Sequence, residues 1–314
     1  MKYRLLISFI LLLTTKNVVA QTIPSVVVSI KPIHSIVTAL MSGIAEPQLL
    51  LKSNNSAHTF HLKPSQIRML ANADLVIIIS EDFEAGLRKA IKNIEDDSLF
   101  QITSLNNLNI HKSRSGILYS KEHEEHEEHE EHEEHEEHEE HEKNIYDLHL
   151  WLDIDNIKLI AKHINKLLIK IDPINEVKYN NNFIELTHNL RELKIYLEKE
   201  TAPFLTSQFA VLSDTTQYFE KSMNLIRPVI ITPYHGARLS INRTLEAKET
   251  MSDLSVSCLL YGQEVKPNQI SVLSEGLSLN TFEIDIIGTK YQAGYSQYFN
   301  LMKSISSQFA SCLK

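Results

Sequence analysis

Tyr179, Phe183, Leu186, Leu190, Leu193 and Leu197 recur at spacings of four, three, four, three and four residues. Such spacing draws one apolar stripe along a single long helix. Asp172–Pro173 opens the segment and Pro203 closes it. Proline suits the first turn of a helix and disfavours helical geometry in the residue before it. The segment is about 28 residues long, or roughly 40 Å at 1.5 Å per residue. A helix of that length in mid-chain acts as a stiff spine between two lobes. It is unlike the two or three flexible strands of a wide-opening hinge.

The flanking sequence supports two lobes. "SVVVSI" (25–30), "QLLL" (48–51) and "ADLVIIIS" (73–80) read as buried strands. "SQIRMLANA" (65–73) reads as a helix entered through Pro64, and 153–171 as a helix capped by Asp153 or Asp155. After the spine come "QFAVLSD" (208–214), "VIITP" (229–233), "VSCLLYG" (256–262) and "TFEIDIIG" (281–288). Strands alternating with helices predict an α/β fold with parallel sheets. The expected division is an N-terminal lobe over 21–171, a linker helix over 172–203 and a C-terminal lobe over 204–314. At 314 residues the chain is long enough for each lobe to have a core of its own.

The first twenty residues read as a leader. "MKYR" is basic, "LLISFILLL" is too short for a stable membrane span, and "VVA" offers small residues for cleavage after Ala20. An exported protein starting at Gln21 is expected, in the periplasm and without a membrane anchor. The chain has two cysteines, Cys258 and Cys312. An oxidising compartment favours a disulfide between them over a pair of buried thiols.

Residues 123–142 read "HEEHEEHEEHEEHEEHEEHE". Residues 122–142 hold 14 of the 40 acidic side chains, so 31 basic side chains face 26 acidic ones elsewhere. The net charge of −9 therefore belongs to the run, and the body has no basic nucleic-acid surface. His123, His126, His129, His132, His135, His138 and His141 are three residues apart. A step of three turns 300° on an α-helix, so these imidazoles drift around it and share no face. With its dense negative charge, the stretch 120–143 is expected to be a disordered loop. The spacing is not HExxH, which excludes the zinc-protease motif. Neutral imidazoles make the run a moderate-affinity collector of zinc, copper or nickel. Selectivity needs fixed geometry, which this run lacks.

A rigid site is expected beyond the carboxyl ends of the strands, where open α/β sheets bind ligands. Those ends carry His34, then His58 and His61, then His149 ahead of a helix. They also carry Ser213 and Asp214, His235 and Asp285. Five histidines and two carboxylates so placed suit a metal gripped between two lobes.

At these residues the sequence resembles a known family. "SIKPIHSIV", "SAHTFHLKPSQIRMLANADLVI", "DLHLWLD", "LSDTTQYFEKSMNL", "CLLYGQEVKPNQI" and "IDIIG" are similar to the metal receptors of cluster A-I ABC importers. The likeness is strongest to the periplasmic zinc-uptake branch of ZnuA type, and runs from about Val26 to the C-terminus. It implies two lobes joined by a rigid helix, a metal cleft between them and a charged His-rich loop. It places His58 and His149 at two metal histidines, and Asp285 at an acidic position that binds metal in some members. The third histidine of the pattern is replaced here by Ser213, a poor zinc ligand. A water, His61, His34, Asp214 or His235 is left to complete the coordination.

The resemblance implies a monomeric receptor that captures Zn²⁺ and delivers it to an ABC permease with its ATPase. Catalysis is not required, and no Gly-rich phosphate loop or G-x-S-x-G is present. Two other receptor-type readings stay open. One is a zinc buffer or chaperone that relies mainly on the run. The other is a receptor with altered preference, such as manganese. A metal-dependent hydrolase using Asp214 as base is the one enzymatic alternative.

Overall fold

The computed structural model describes residues 23–51, 60–114, 146–232 and 239–314. The N-terminal half runs β1 (Val26–Val28), α1 (Lys31–Leu40), β2 (Gln48–Leu49), α2 (Pro64–Ala71), β3 (Leu75–Ile78), α3 (Arg88–Ile91) and β4 (Leu99–Gln101). A small ladder of β5 (His111–Lys112) and β6 (Tyr146–Asp147) follows, then α4 (Ile154–Ile171) and α5 (Glu176–Thr201). The C-terminal half runs β7 (Phe209–Ser213), α6 (Gln217–Ser222), β8 (Val229–Thr232), α7 (Ile241–Asp253), β9 (Cys258–Gly262), α8 (Pro267–Ser274), β10 (Asn280–Ile284) and α9 (Gln297–Leu313).

Each half contains a four-stranded parallel sheet, in the order β2-β1-β3-β4 and β10-β9-β7-β8. The fold is therefore α/β with two parallel-sheet lobes joined by a long helix. The central strands β1 and β3 are buried along their whole length, as expected for near-continuous Val/Ile runs covered on both faces. Their register pairs Val26 with Leu75 and Val28 with Ile77.

The linking helix α5 has 26 residues and buries Tyr179, Leu186, Leu190, Leu193 and Leu197, the stripe read from the sequence. Phe183 is partly buried on the same side. Asp172 fixes the entry by accepting hydrogen bonds from Asn175 Nδ2 (2.7 Å) and Tyr179 Oη (3.0 Å). Helix α5 packs against α1, α4 and α9. Asn182 adds a polar tie, its Nδ2 donating to Leu40 O at 2.7 Å.

Three features differ from the sequence expectation. First, the main hydrophobic core is continuous from β1 and β3 through α5 and α9 to β7 and β9. Only a smaller cluster, including Leu212, Ile231, Met251 and Leu259, stands apart in the C-terminal lobe. The lobes thus share one core. Second, β4 and the β5–β6 ladder were not expected. In β4 only Phe100 is buried, and β5–β6 forms by long-range pairing of His111 with Asp147. Third, β10 ends at Ile284 although apolar residues continue to Ile287. The Asp285 side chain draws the chain into a turn at that point.

The disulfide forms between Cys258 on β9 and Cys312 on α9. It ties the end of the last helix to the C-terminal sheet. The other flank of α9 reaches the N-terminal lobe, where Tyr298 Oη donates to Trp151 O at 2.9 Å and Tyr298 N to Ser35 Oγ at 3.1 Å.

Candidate metal centre

His149 sits between β6 and a short 3₁₀ turn, Leu150–Leu152. Asp147, at the end of β6, holds it twice. Its Oδ1 accepts the His149 main-chain N–H at 2.9 Å and ring Nδ1 at 2.8 Å. A carboxylate accepts, so Nδ1 carries the proton and Nε2 carries the coordinating lone pair. This is the carboxylate–histidine pairing that orients metal-binding imidazoles. The ring is nearly buried and meets Phe83 and Trp151 edge-on, with centroids 5.9 and 5.3 Å away.

Asp285 is equally fixed. Its Oδ1 accepts from Ile287 N (3.1 Å) and Gly288 N (2.7 Å), and its Oδ2 from Thr289 N (2.6 Å). The Thr289 hydroxyl lies between Asp285 Oδ2 (2.8 Å) and Gln263 Oε1 (2.9 Å), and its single proton serves one of them at a time. When it turns to Gln263, Oδ2 regains a lone pair. The turn needs glycine at 288, where φ is +73° and a Cβ would meet Gln297 Nε2 at 2.3 Å.

One hydrogen bond joins these two places across the lobes. Trp151 Nε1 donates to Ile286 O at 2.8 Å, linking the residue two past His149 to the residue after Asp285. Lys31 Nζ adds bonds to Thr289 O (2.7 Å) and Tyr291 O (3.1 Å).

The remaining sequence candidates are placed as follows. His34 is buried on α1, its Nε2 3.0 Å from Pro47 O and its Nδ1 3.4 Å from Thr38 Oγ1. His61 is exposed ahead of α2. The Thr232 hydroxyl donates to Leu212 O (2.6 Å), so Ser213 Oγ donates to Thr232 Oγ1 at 3.2 Å. Asp214 is bound by the Arg114 guanidinium, which also reaches Glu220 Oε2 at 2.7 Å. That pairing occupies Asp214 as a structural anion. Burial pushes the Glu220 carboxyl up, against the pull of Arg114. Burial pulls the Arg114 guanidinium down, but its hydrogen bonds and charge pairing with Asp214 and Glu220 outweigh that and raise it above its ordinary value. His58, His235 and the histidines of the Glu-rich run lie outside the described residues. Among the described residues, no three of His, Cys, Asp and Glu gather closely enough to hold a metal.

Sequence reasoning missed Asp147, Arg114 and Glu84. Asp147 was visible as an acid two residues before a candidate histidine. Nothing local marked Arg114, whose partners are about a hundred residues away in the chain. Glu84 is fully buried and joins the ends of β1 and β3. It accepts from Ser29 Oγ (2.5 Å), Ile79 N (3.0 Å) and Ser80 N (3.0 Å). Burial outweighs these bonds and raises its carboxyl to about 7.

Comparison with known proteins fits this geometry. Residues 26–312 match the family model ZnuA, described as the periplasmic component A of a zinc-uptake complex. The chain belongs to the ZnuA family. The high-affinity zinc uptake system protein ZnuA of Brucella abortus (strain 2308) is 30% identical over 304 residues, covering 92% of this chain and 91% of that protein. A crystal structure of ZnuA superposes with a TM-score of 0.74 at 17% identity, covering 93% of this chain and 100% of that one. A zinc-bound ZnuA deletion mutant gives a TM-score of 0.73 at 17% identity, covering 93% and 99%. The family description and the relatives' names both place ZnuA proteins in zinc-uptake systems. Among the described residues of this ZnuA-family chain, no helix is long and apolar enough to cross a membrane.

Proposed function

We propose that this chain is a periplasmic receptor that captures Zn²⁺ between its lobes and delivers it to an ABC permease driven by a partner ATPase. The observation that carries the reading is His149, oriented by Asp147 where the two lobes meet. Imidazole Nε2 of His149, His58 and one oxygen of Asp285 form the ligand set. Ligating carboxylates are themselves hydrogen-bonded, as Asp285 is. Ser213 stands where a third histidine is the family pattern, and a water or His235 completes four-coordination there. The protein works as a monomer after its leader is cut near Ala20. The run at 122–142 gathers metal near the cleft and is not the selective site.

A calorimetric zinc titration of the mature protein without residues 122–142 tests this. A single tight site, lost in His149→Ala and in His58→Ala, is the expected result. Absence of a tight site overturns the receptor reading and leaves the run as the main binder. Competition with Mn²⁺ in the same experiment settles metal preference.

A further inference from the structure

An open groove of about 630 Å³ lies at the base of the His/Glu run. Among the described residues its charged lining is Lys112, Arg114, Lys221 and Arg227 against one carboxylate, Glu220. Arg114 is spent on Asp214 and Glu220. Lys112, Lys221 and Arg227 are exposed, and none of them forms an ion pair among the described residues. The groove is firmly built. Gln217 Nε2 donates to Lys112 O at 3.1 Å, and Arg114 clamps the wall to α6 through Glu220. The charge of Lys221 reaches His111, whose imidazole is pushed down first by burial and then by that lysine.

An excess of three cations, unpaired among the described residues, in a fixed concave surface selects an anionic ligand, and the sequence that joins β5 to β6 is strongly acidic. Arg114 precedes Glu122 by eight residues, and Glu142 precedes Tyr146 by four. Both flanks are rooted in one ladder, since β5 pairs with β6, and β5 lines the groove. Eight extended residues reach about 28 Å. A tether that short gives the run a local concentration in the millimolar range.

We propose that this groove binds the chain's own metal-free run, residues 122–142, through its glutamates. Zinc on the run's imidazoles reduces its negative charge and weakens the docking. By linkage, docking weakens zinc binding to the run by the same factor. The groove then sets the affinity of the collector, holding it below that of the cleft, so that metal passes inward. This last step rests on the receptor reading. The docking itself does not.

The test uses the full chain and the variant Lys221→Gln/Arg227→Gln, with Lys92→Gln/Lys199→Gln as a charge-matched control on another surface. A glutamate-specific protease, at low ionic strength with a chelator present, reads how often the run is undocked. Cleavage within 122–142 is expected to be about tenfold faster in the groove variant and unchanged in the control. Equal rates in all three proteins overturn the docking. Equal acceleration in the control overturns the groove as the site, since diffuse charge would then suffice. A zinc titration of the same proteins is expected to show the weaker class of sites tightened several-fold in the groove variant, with the tight site unmoved. An unchanged weaker class overturns the zinc coupling. Loss or absence of the tight site bears on the receptor reading alone.

Discussion

Asp147 Oδ1 accepts two hydrogen bonds from one residue, the main-chain N–H and the ring Nδ1 of His149. The aspartate thereby fixes both the position and the tautomer of the imidazole. Its second oxygen, Oδ2, is buried with no hydrogen-bond partner among the described residues. We predict that Asp147→Ala lowers zinc affinity about 10- to 100-fold, the usual effect of losing a partner behind a ligand. Calorimetry on the variant, with its circular dichroism unchanged, checks this. Unaltered affinity would show that His149 is not a ligand.

Trp151 is the single tryptophan of the chain, and its ring lies 5.3 Å from that of His149. Metal binding at His149 should therefore change the intrinsic emission saturably, at the stoichiometry of the tight site. The change should vanish in His149→Ala and persist when residues 122–142 are removed. A fluorescence titration decides it.

Arg114 bridges Asp214 and Glu220, all three side chains being largely buried. Arg114→Met leaves two buried carboxylates without their cation. We expect a loss of about 3–5 kcal/mol in urea unfolding at neutral pH. The loss should shrink at lower pH, where the carboxyls take up protons.

Glu84 contributes a pH dependence of unusual sign. Burial raises its carboxyl from 4.5 to about 7 in the folded state. Between those values the native state holds more protons than the unfolded chain, so stability falls as pH rises. The contribution is fully present below about 4.5 and is lost through about 7. The difference in unfolding free energy between the wild type and Glu84→Gln should therefore drift with pH in this window. Its slope should be up to about 1.4 kcal/mol per pH unit. A flat difference between pH 5 and 8 would contradict the assignment.

The Cys258–Cys312 bond closes a loop of 54 residues in separation. Chain entropy alone gives such a cross-link about 4 kcal/mol. The paired variant Cys258→Ser/Cys312→Ser should unfold at a markedly lower temperature, as scanning calorimetry would record.

Much of this architecture was legible because its signals are local. Val26–Val28 and Leu75–Ile78 announce buried strands by β-branching, and the α5 stripe by its period. Asp153, one of the two expected caps, accepts from Asp155 N at 2.8 Å. What stayed hidden depends on distant chain. The ladder of His111 with Asp147 spans the whole Glu-rich run, and Arg114 finds its anions only after folding. Strand-end reasoning picked out His34 and Asp214 but could not give the direction of either side chain. His34 faces Pro47 O, and Asp214 faces a guanidinium.

Helix α5 packs against α1, α4 and α9, and the main core passes beneath it without a break. A body joined in this way has little outline to alter when its cargo arrives. If the chain carries zinc as proposed, whatever distinguishes the full carrier from the empty one would be written in a few side chains around His149 and Asp285. A membrane partner would have to read that local text by touch, much as a lock senses the cut of a key and not its length.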